Sequence, residues 1–315
     1  MFLAEIMNKV IVLGGEGFLG RHVMSLLGKK RCEARSLSRR NGCDITHLGQ
    51  LSAALRKFQP SDIINCAAHV GSLHYVTTYA ADVIHDNTQM IVNTYRAIQQ
   101  ACPKAKLINP ISNCSYPGDA NTHYEPDWQN GPVHDSVLAY ATPRRLFHAF
   151  AESYRKQHGL KTVNWLIANS YGPGDYTDPN KVHALNGIII RLIKAQRAGE
   201  RTFEIWGSGK PVREWSYIED DARILVESLA IEEQTYPVNF AQNKAYSIAE
   251  IGELAAKALG YDVRFVFNTK MADGAPVKIL DDRIFRAKHP DFRFTPLEQG
   301  IRNTITYYQQ ALEPR

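Results

Sequence analysis

Short apolar runs alternate with amphipathic stretches through the first half of the chain. Lys9–Leu13 (KVIVL) has the length and composition of a strand buried on both faces. It stops at glycine, and Phe18–Leu27 then spaces its apolar residues as a helix does. The rhythm continues with Ala34–Ser38 as a strand, Leu48–Phe58 as a helix ended by Pro60, and Asp62–Cys66 as a strand. Asp82–Ala101 reads as a long helix, Lys106–Ile111 as a strand and Val163–Ala168 as another. Between the last two, Leu138–His158 reads as a helix with Leu146, Phe150 and Tyr154 on one stripe at four-residue spacing. Strands alternating with helices predict the α/β class and a doubly wound parallel sheet. After Tyr171–Asp175 the rhythm gives way to longer loops, which places a domain change there. Residues 1–173 are expected to form the sheet domain, and 174–315 mainly a second, smaller domain. Part of 211–245 is expected to return to the sheet.

The first strand ends in Gly14-Gly15-Glu16-Gly17-Phe18-Leu19-Gly20. Glycines at this spacing let the chain turn tightly, bring backbone N–H groups against a pyrophosphate and pack the helix on the strand. A strand before them and a helix after them predict a Rossmann-like dinucleotide site at Gly14, Gly17, Phe18, Leu19 and Gly20. The second strand ends at Ser38-Arg39-Arg40, where an acid would serve the ribose of NAD(H). Arg39 and Arg40 instead suit the 2′-phosphate of NADP(H), with Glu16 as a counterweight and NAD(H) as the alternative. Asp44 is placed to accept from an adenine amino group or, with no ligand, to cap the next helix.

Composition narrows the partners. Of 315 residues 44% are hydrophobic and 22% charged, which excludes wholesale disorder and a coiled coil. The formal charge of +5 is spread along the chain. Its densest clusters, Lys29-Lys30-Arg31 and Arg39-Arg40, are too short for a nucleic-acid arm and read first as a solvated basic face, with small anionic ligands as the alternative. No apolar run approaches the ~20 residues of a membrane span. Met1–Lys9, with Glu5 inside it, lacks the pattern of a secretory signal. The five cysteines, Cys32, Cys43, Cys66, Cys102 and Cys114, show neither a disulfide framework nor zinc spacing. A reducing, cytoplasmic setting and no metal are therefore expected.

After the glycine loop the chain carries, in order, Asp44, Ala67-Ala68-His69-Val70-Gly71, Asn87, Tyr140 and Tyr171-Gly172-Pro173. In that order, and over nearly its whole length, it resembles the extended short-chain dehydrogenase/reductase (NAD-dependent epimerase/dehydratase) family of nucleotide-sugar enzymes. Its GDP-L-fucose synthase branch is matched most specifically. The segments that carry this are Ser112-Asn113-Cys114-Ser115-Tyr116-Pro117, Asn169–Asp175 leading to His183, Trp206–Glu214, and Asp273–Lys278.

The resemblance implies epimerisation beside a ketone followed by reduction of a GDP-4-ketosugar. It casts Tyr140 as proton donor to the ketone oxygen and Ser112 as the hydroxyl that polarises it. Cys114 and His183 become the acid–base pair; thiol and imidazole titrate close enough to neutrality for that work. Ala67, Ala68, Asn87 and Asn169 are implied to line the coenzyme. Arg191, Trp206, Arg213, Asp273 and Lys278 are implied to contact the nucleotide sugar. A homodimer through helices 82–101 and 138–158 is also implied.

Two positions depart from the family pattern. Tyr140-Ala141-Thr142-Pro143-Arg144 puts arginine where the family has lysine, with a proline beside it that kinks a helix unless it lies in the first turn. Asn113 stands where the family usually has serine. Three further readings stay open at this stage: a reductase with a lost or narrowed epimerase step, another nucleotide-sugar 4-epimerase or dehydratase, and a non-catalytic dinucleotide-binding scaffold.

Overall fold

The computed structural model describes residues 8–30 and 32–313. Most of the N-terminal stretch read above, and Arg31 of the Lys29–Arg31 cluster, lie outside the described residues. In chain order the first strands and helices are β1 (Lys9–Leu13), α1 (Phe18–Lys29), β2 (Glu33–Leu37), α2 (Leu48–Phe58), β3 (Asp62–Asn65), α3 (Leu73–Thr78), α4 (Ala80–Ala101), β4 (Lys106–Ser112), β5 (Thr122–His123) and α5 (Leu138–His158). Then come β6 (Thr162–Ile167), β7 (Asn169–Tyr171), α6 (Ala184–Ala198), β8 (Thr202–Trp206), β9 (Val212–Tyr217), α7 (Ile218–Glu227) and β10 (Gln234–Phe240). The chain closes with β11 (Ala245–Ser247), α8 (Ile248–Ala258), β12 (Arg264–Asn268), β13 (Val277–Leu280), α9 (Arg283–Lys288) and α10 (Leu297–Ala311).

Six strands form one parallel sheet in the order β10-β6-β4-β3-β1-β2. One apolar layer covers it with α2, α4 and α5, through Leu51, Ile91, Ile98 and Phe147. The other covers it with α1, α7 and α9, through Val23, Leu27, Leu225 and Phe285. This is the α/β, Rossmann-like sheet that the alternating pattern predicts. A second core gathers α6, α8 and α10 around Leu185, Ile189, Ile251 and Tyr308. Beside it lie a small sheet, β11-β9-β13-β5 with β7 paired to β9, and the two-stranded β12-β8. β10, within 211–245, is the outer strand of the large sheet, while β9, from the same stretch, belongs to the small one.

Several element boundaries differ from the sequence reading by one or two residues. β2 stops at Leu37, because Asn41 turns back and its side-chain oxygen takes the Ser38 N–H at 2.7 Å. That bond starts a single helical turn at Arg39–Asn41. A short helix, α3, precedes α4; the Ser72 hydroxyl caps it by accepting the Tyr75 N–H at 3.2 Å, and α4 begins at Ala80 rather than Asp82. Past Ala168 the chain leaves the large sheet, and β7 pairs with β9 instead.

Pro143 sits past the first turn of α5, yet the helix runs through it from Leu138 to His158. Its missing N–H leaves the Ala139 carbonyl without the usual intrahelical donor.

Candidate active site

β2 and β3 flank β1 on opposite sides, so successive crossovers diverge there and a crevice opens at the carboxyl ends of the strands. The glycine loop lies at that point. Gly14 has φ +70°, and a Cβ on it would come within 2.9 Å of the Ala67 Cα. A Cβ on Gly20 would collide with the Gly14 carbonyl, so the helix can approach the loop only without a side chain. Gly17 caps α1 without any side-chain bond, which leaves the first N–H groups of the helix to an outside acceptor. Such a cradle fits a dinucleotide pyrophosphate. Arg39 and Arg40 lie exposed on the helical turn after β2, and Asp44 accepts the Thr46 N–H at 3.0 Å. Asp44 closes its own turn and does not cap α2, whose N-cap is His47.

β4 ends in Ser112, and a single helical turn carries Asn113–Ser115. The Ser112 hydroxyl accepts the Cys114 N–H at 3.2 Å. Helix α5 starts nearby and presents Tyr140, Arg144 and Arg145. Arg145 Nε donates to the Ser115 carbonyl at 2.7 Å and ties the helix to the Ser112–Ser115 turn. Arg144 is buried, with its guanidinium 4.8 Å from the Tyr140 ring centroid and Nη2 bonded to Asn87 Oδ1. The Asn87 side chain in turn donates to the His69 carbonyl at 2.8 Å and accepts the His69 N–H at 3.1 Å, so Arg144 is linked to the loop of Ala67 and Ala68. Burial holds the Tyr140 phenol above its ordinary range, while the Arg144 charge and the Ser112 hydroxyl pull it back down.

Cys114 and His183 are equipped differently. Lys278 Nζ lies 3.2 Å from Cys114 Sγ. Burial pushes the thiol up, but Lys278, the Ser112 hydroxyl and Arg213 outweigh it, and the thiol sits below its usual value. His183 Nδ1 lies 3.0 Å from Asp175 Oδ2, and the same carboxylate oxygen accepts the His183 N–H and an Asn186 amide N–H. Burial pulls the imidazole down; the bond and charge of Asp175, helped by Asp221 and Cys114, raise it above its usual value. Because Nδ1 faces Asp175, Nε2 is the nitrogen left for chemistry. The Phe18 ring lies 5.2 Å from the His183 ring, so the phosphate loop abuts this pair.

From Cys114 a row of side chains leads outward. Lys278 on β13 stands beside Arg213 on β9 in register, and Arg213 Nη2 approaches the Asp273 carbonyl at 3.3 Å. The Asp273 carboxylate holds Ser208, next to the exposed Trp206, and the Arg191 guanidinium lies 4.6 Å from a Trp206 ring centroid. Asn169, whose amide donates to the Glu214 carbonyl at 2.9 Å, ties β7 to β9. Leu19 packs into the apolar layer beneath the phosphate loop.

A family model, NAD dependent epimerase/dehydratase, matches residues 10–249. The chain belongs to that family. It is 26% identical over 316 residues to a probable GDP-L-fucose synthase of Drosophila melanogaster, covering 96% of this chain and 97% of that one. It is 29% identical to a GDP-L-fucose synthase of Sinorhizobium fredii over 87% of each chain. The crystal structure of a GDP-L-fucose synthetase from Naegleria fowleri bound to NADP has a TM-score of 0.84 and 25% identity, covering 98% of this chain and 95% of its own.

As a member of the epimerase/dehydratase family the chain is a nicotinamide-dependent enzyme. Among the described residues, no cluster of three or more His, Cys, Asp or Glu could hold a metal ion. No helix among them is long and apolar enough to cross a membrane.

Sequence reasoning missed Asp175, Asp221 and Arg145. Asp175 lies inside the quoted Tyr171–Asp175 segment, but only the loop's course brings it to His183. Asp221 is fully buried, takes the Ser170 hydroxyl at 2.7 Å and the Ser216 hydroxyl, and is pushed up to about 7 by burial. Nothing in the linear sequence signals that burial.

Proposed function

We propose that the chain is an NADPH-dependent epimerase/reductase of a GDP-4-keto-6-deoxyhexose or a similar GDP-ketosugar. The observation that carries this reading is the pair of oppositely prepared groups beside the Ser112–Tyr140 site: a thiol next to an ammonium, and an imidazole bonded to a carboxylate. A reductase alone, or a scaffold, needs neither.

Proton abstraction comes first. The Cys114 thiolate takes the proton from the carbon next to the ketone, becoming a thiol, and the C–H electron pair moves onto the ketone oxygen as an enolate. The Ser112 and Tyr140 hydroxyls bond that oxygen. His183 Nε2 returns a proton to the opposite face, leaving neutral imidazole, and both groups exchange with solvent to reset. For the reduction, Tyr140 gives its phenolic proton to the same oxygen, and its raised pKa keeps it protonated until then. The bound nicotinamide supplies the hydride.

The backbone of Gly14, Gly17, Phe18, Leu19 and Gly20 would hold the pyrophosphate, and Arg39 and Arg40 the 2′-phosphate that favours NADP(H) over NAD(H). Asp44, Ala67, Ala68, Asn87 and Asn169 would line the rest, with Arg144 Nε, buried and without a partner among the described residues, available to a ribose hydroxyl. Residues 174–315 would mainly carry the nucleotide sugar. Trp206 would offer an apolar wall, and Arg191 and Arg213 would hold the diphosphate, with Asp273 fixing the loop between them. A homodimer through α4 and α5 and a cytoplasmic, reducing setting complete the proposal.

Incubation with a GDP-4-ketosugar in deuterated water tests it. The wild type should place deuterium beside the ketone and consume one NADPH per sugar. Cys114→Ser should lose incorporation and keep reduction of an already epimerised ketosugar. Equal incorporation in wild type, Cys114→Ser and His183→Gln would remove the acid–base pair.

A further inference from the structure

Lys278 is 93% buried, and its ammonium has a single side-chain partner among the described residues, the Cys114 sulfur at 3.2 Å. No carboxylate lies within ion-pair distance of it there. Its neighbour in register, Arg213, is buried as well and spends its guanidinium on the carbonyls of Val212, Asp273 and Pro276. Two cations therefore lie side by side, both largely removed from water. A neutral thiol cannot offset the lost hydration of an ammonium, whereas a thiolate can.

We propose that Lys278 is a positioning residue whose ammonium holds Cys114 as a thiolate before any substrate arrives. This rests on the reading of Cys114 as the proton-abstracting group, and it gives Lys278 a task other than contact with the nucleotide sugar. The parallel register of β13 on β9 sets the distance, because it lines Lys278 up beside Arg213 while the turn after β4 delivers Cys114.

The groups around Cys114 come from several elements. Lys278 and Arg213 stabilise its charge, and the Ser112 hydroxyl bonds it. Across the site burial holds the Tyr140 phenol up, and the His183 imidazole, raised by Asp175, Asp221 and Cys114 against burial, adds to the attraction when protonated. His123, on β5 beside β13, is held down at about 4 by burial and by the two cations, so it is neutral near pH 7. An opposite charge in contact typically lowers a thiol's pKa by one unit or more.

The test is the pH dependence of iodoacetamide alkylation at Cys114, followed by peptide mass spectrometry on the full chain without substrate. The wild-type rate should reach its plateau below the pH expected of a free thiol, near 8.5. Lys278→Met should move the midpoint up by at least one unit, a loss of about tenfold in rate at pH 7, and Lys278→Arg should recover part of it. Circular dichroism and the alkylation of Cys32 report folding, and Lys278→Gln is the second variant if methionine is not tolerated. An unchanged midpoint in folded Lys278→Met or Lys278→Gln overturns the proposal, and a raised KM with that unchanged midpoint returns Lys278 to sugar binding. Should the midpoint shift while Cys114→Ser still exchanges deuterium, Lys278 is confirmed as the thiol's partner and the catalytic reading of Cys114 fails instead.

Discussion

The Arg144 guanidinium covers the face of the Tyr140 ring at 4.8 Å, one helical turn away on α5. Arg144 is buried and Tyr140 partly so, which lets the positive charge act on the phenol through less solvent than at the surface. The arginine charge pulls the Tyr140 pKa down against burial, and it does so while bonded to Asn87.

Arg144→Ala should lower ketosugar reduction by at least ~100-fold, within the range of acid–base assistance, and should weaken NADPH binding measured by fluorescence. Arg144→Lys should also fall below wild type, because an ammonium neither stacks on the Tyr140 face as a planar guanidinium does nor reproduces its fork toward Asn87. Full turnover by Arg144→Ala in a stopped-flow NADPH assay would show that the charge is dispensable.

Asp175→Asn should separate proton return from reduction. The carboxylate raises the His183 pKa and fixes its Nδ1, so the amide should let the imidazole fall toward its ordinary value. The alkaline limb of the deuterium-exchange profile should move to lower pH, with exchange at pH 8 down by ~10-fold or more. NADPH oxidation with an epimerised ketosugar should keep its pH profile. A limb that stays in place assigns it to another group.

Arg40→Ala should reduce the preference for NADPH over NADH by about tenfold in kcat/KM, the worth of one charge-assisted contact to a phosphate. Arg40 is exposed on the turn after β2, so fold stability should not change. An unchanged ratio places the 2′-phosphate elsewhere.

Stability should fall as pH rises from about 4 to 7. Burial lifts Asp221 and Glu214 to about 7 in the folded chain, above their unfolded values near 4. Each therefore contributes most when protonated, below its unfolded pKa, and that contribution is lost as pH climbs through its folded pKa. Asp221→Asn should roughly halve the slope of Tm against pH, since the Ser170 and Ser216 hydroxyls can turn to suit an amide. The Tm of this variant at pH 8 should exceed that of wild type. A slope equal to the wild type's would mean that Asp221 is ionised throughout.

The sheet was legible because its strands are buried on both faces and read as continuous apolar runs such as Lys9–Leu13, each closed by glycine, proline or a polar cap. The glycine loop was legible for a related reason: glycines are required where a Cβ would strike backbone, as at Gly20, and that need is local. Ser112, Cys114, Tyr140 and His183 could be named from motif order, and so could Lys278. Their pairings could not. Asp175 meets His183 through a loop, and Lys278 meets Cys114 across 164 positions of chain through the register of β13 on β9. Whether Asp221 carries a charge at neutral pH depends on its removal from water, which is a property of the packed interior. Sequence determines what can be decided by neighbours along the chain: periodicity, glycine turns and the inventory of reactive groups. Which of those groups share a proton, and in which state each is held, follows from distance and desolvation, and only the tertiary structure sets those.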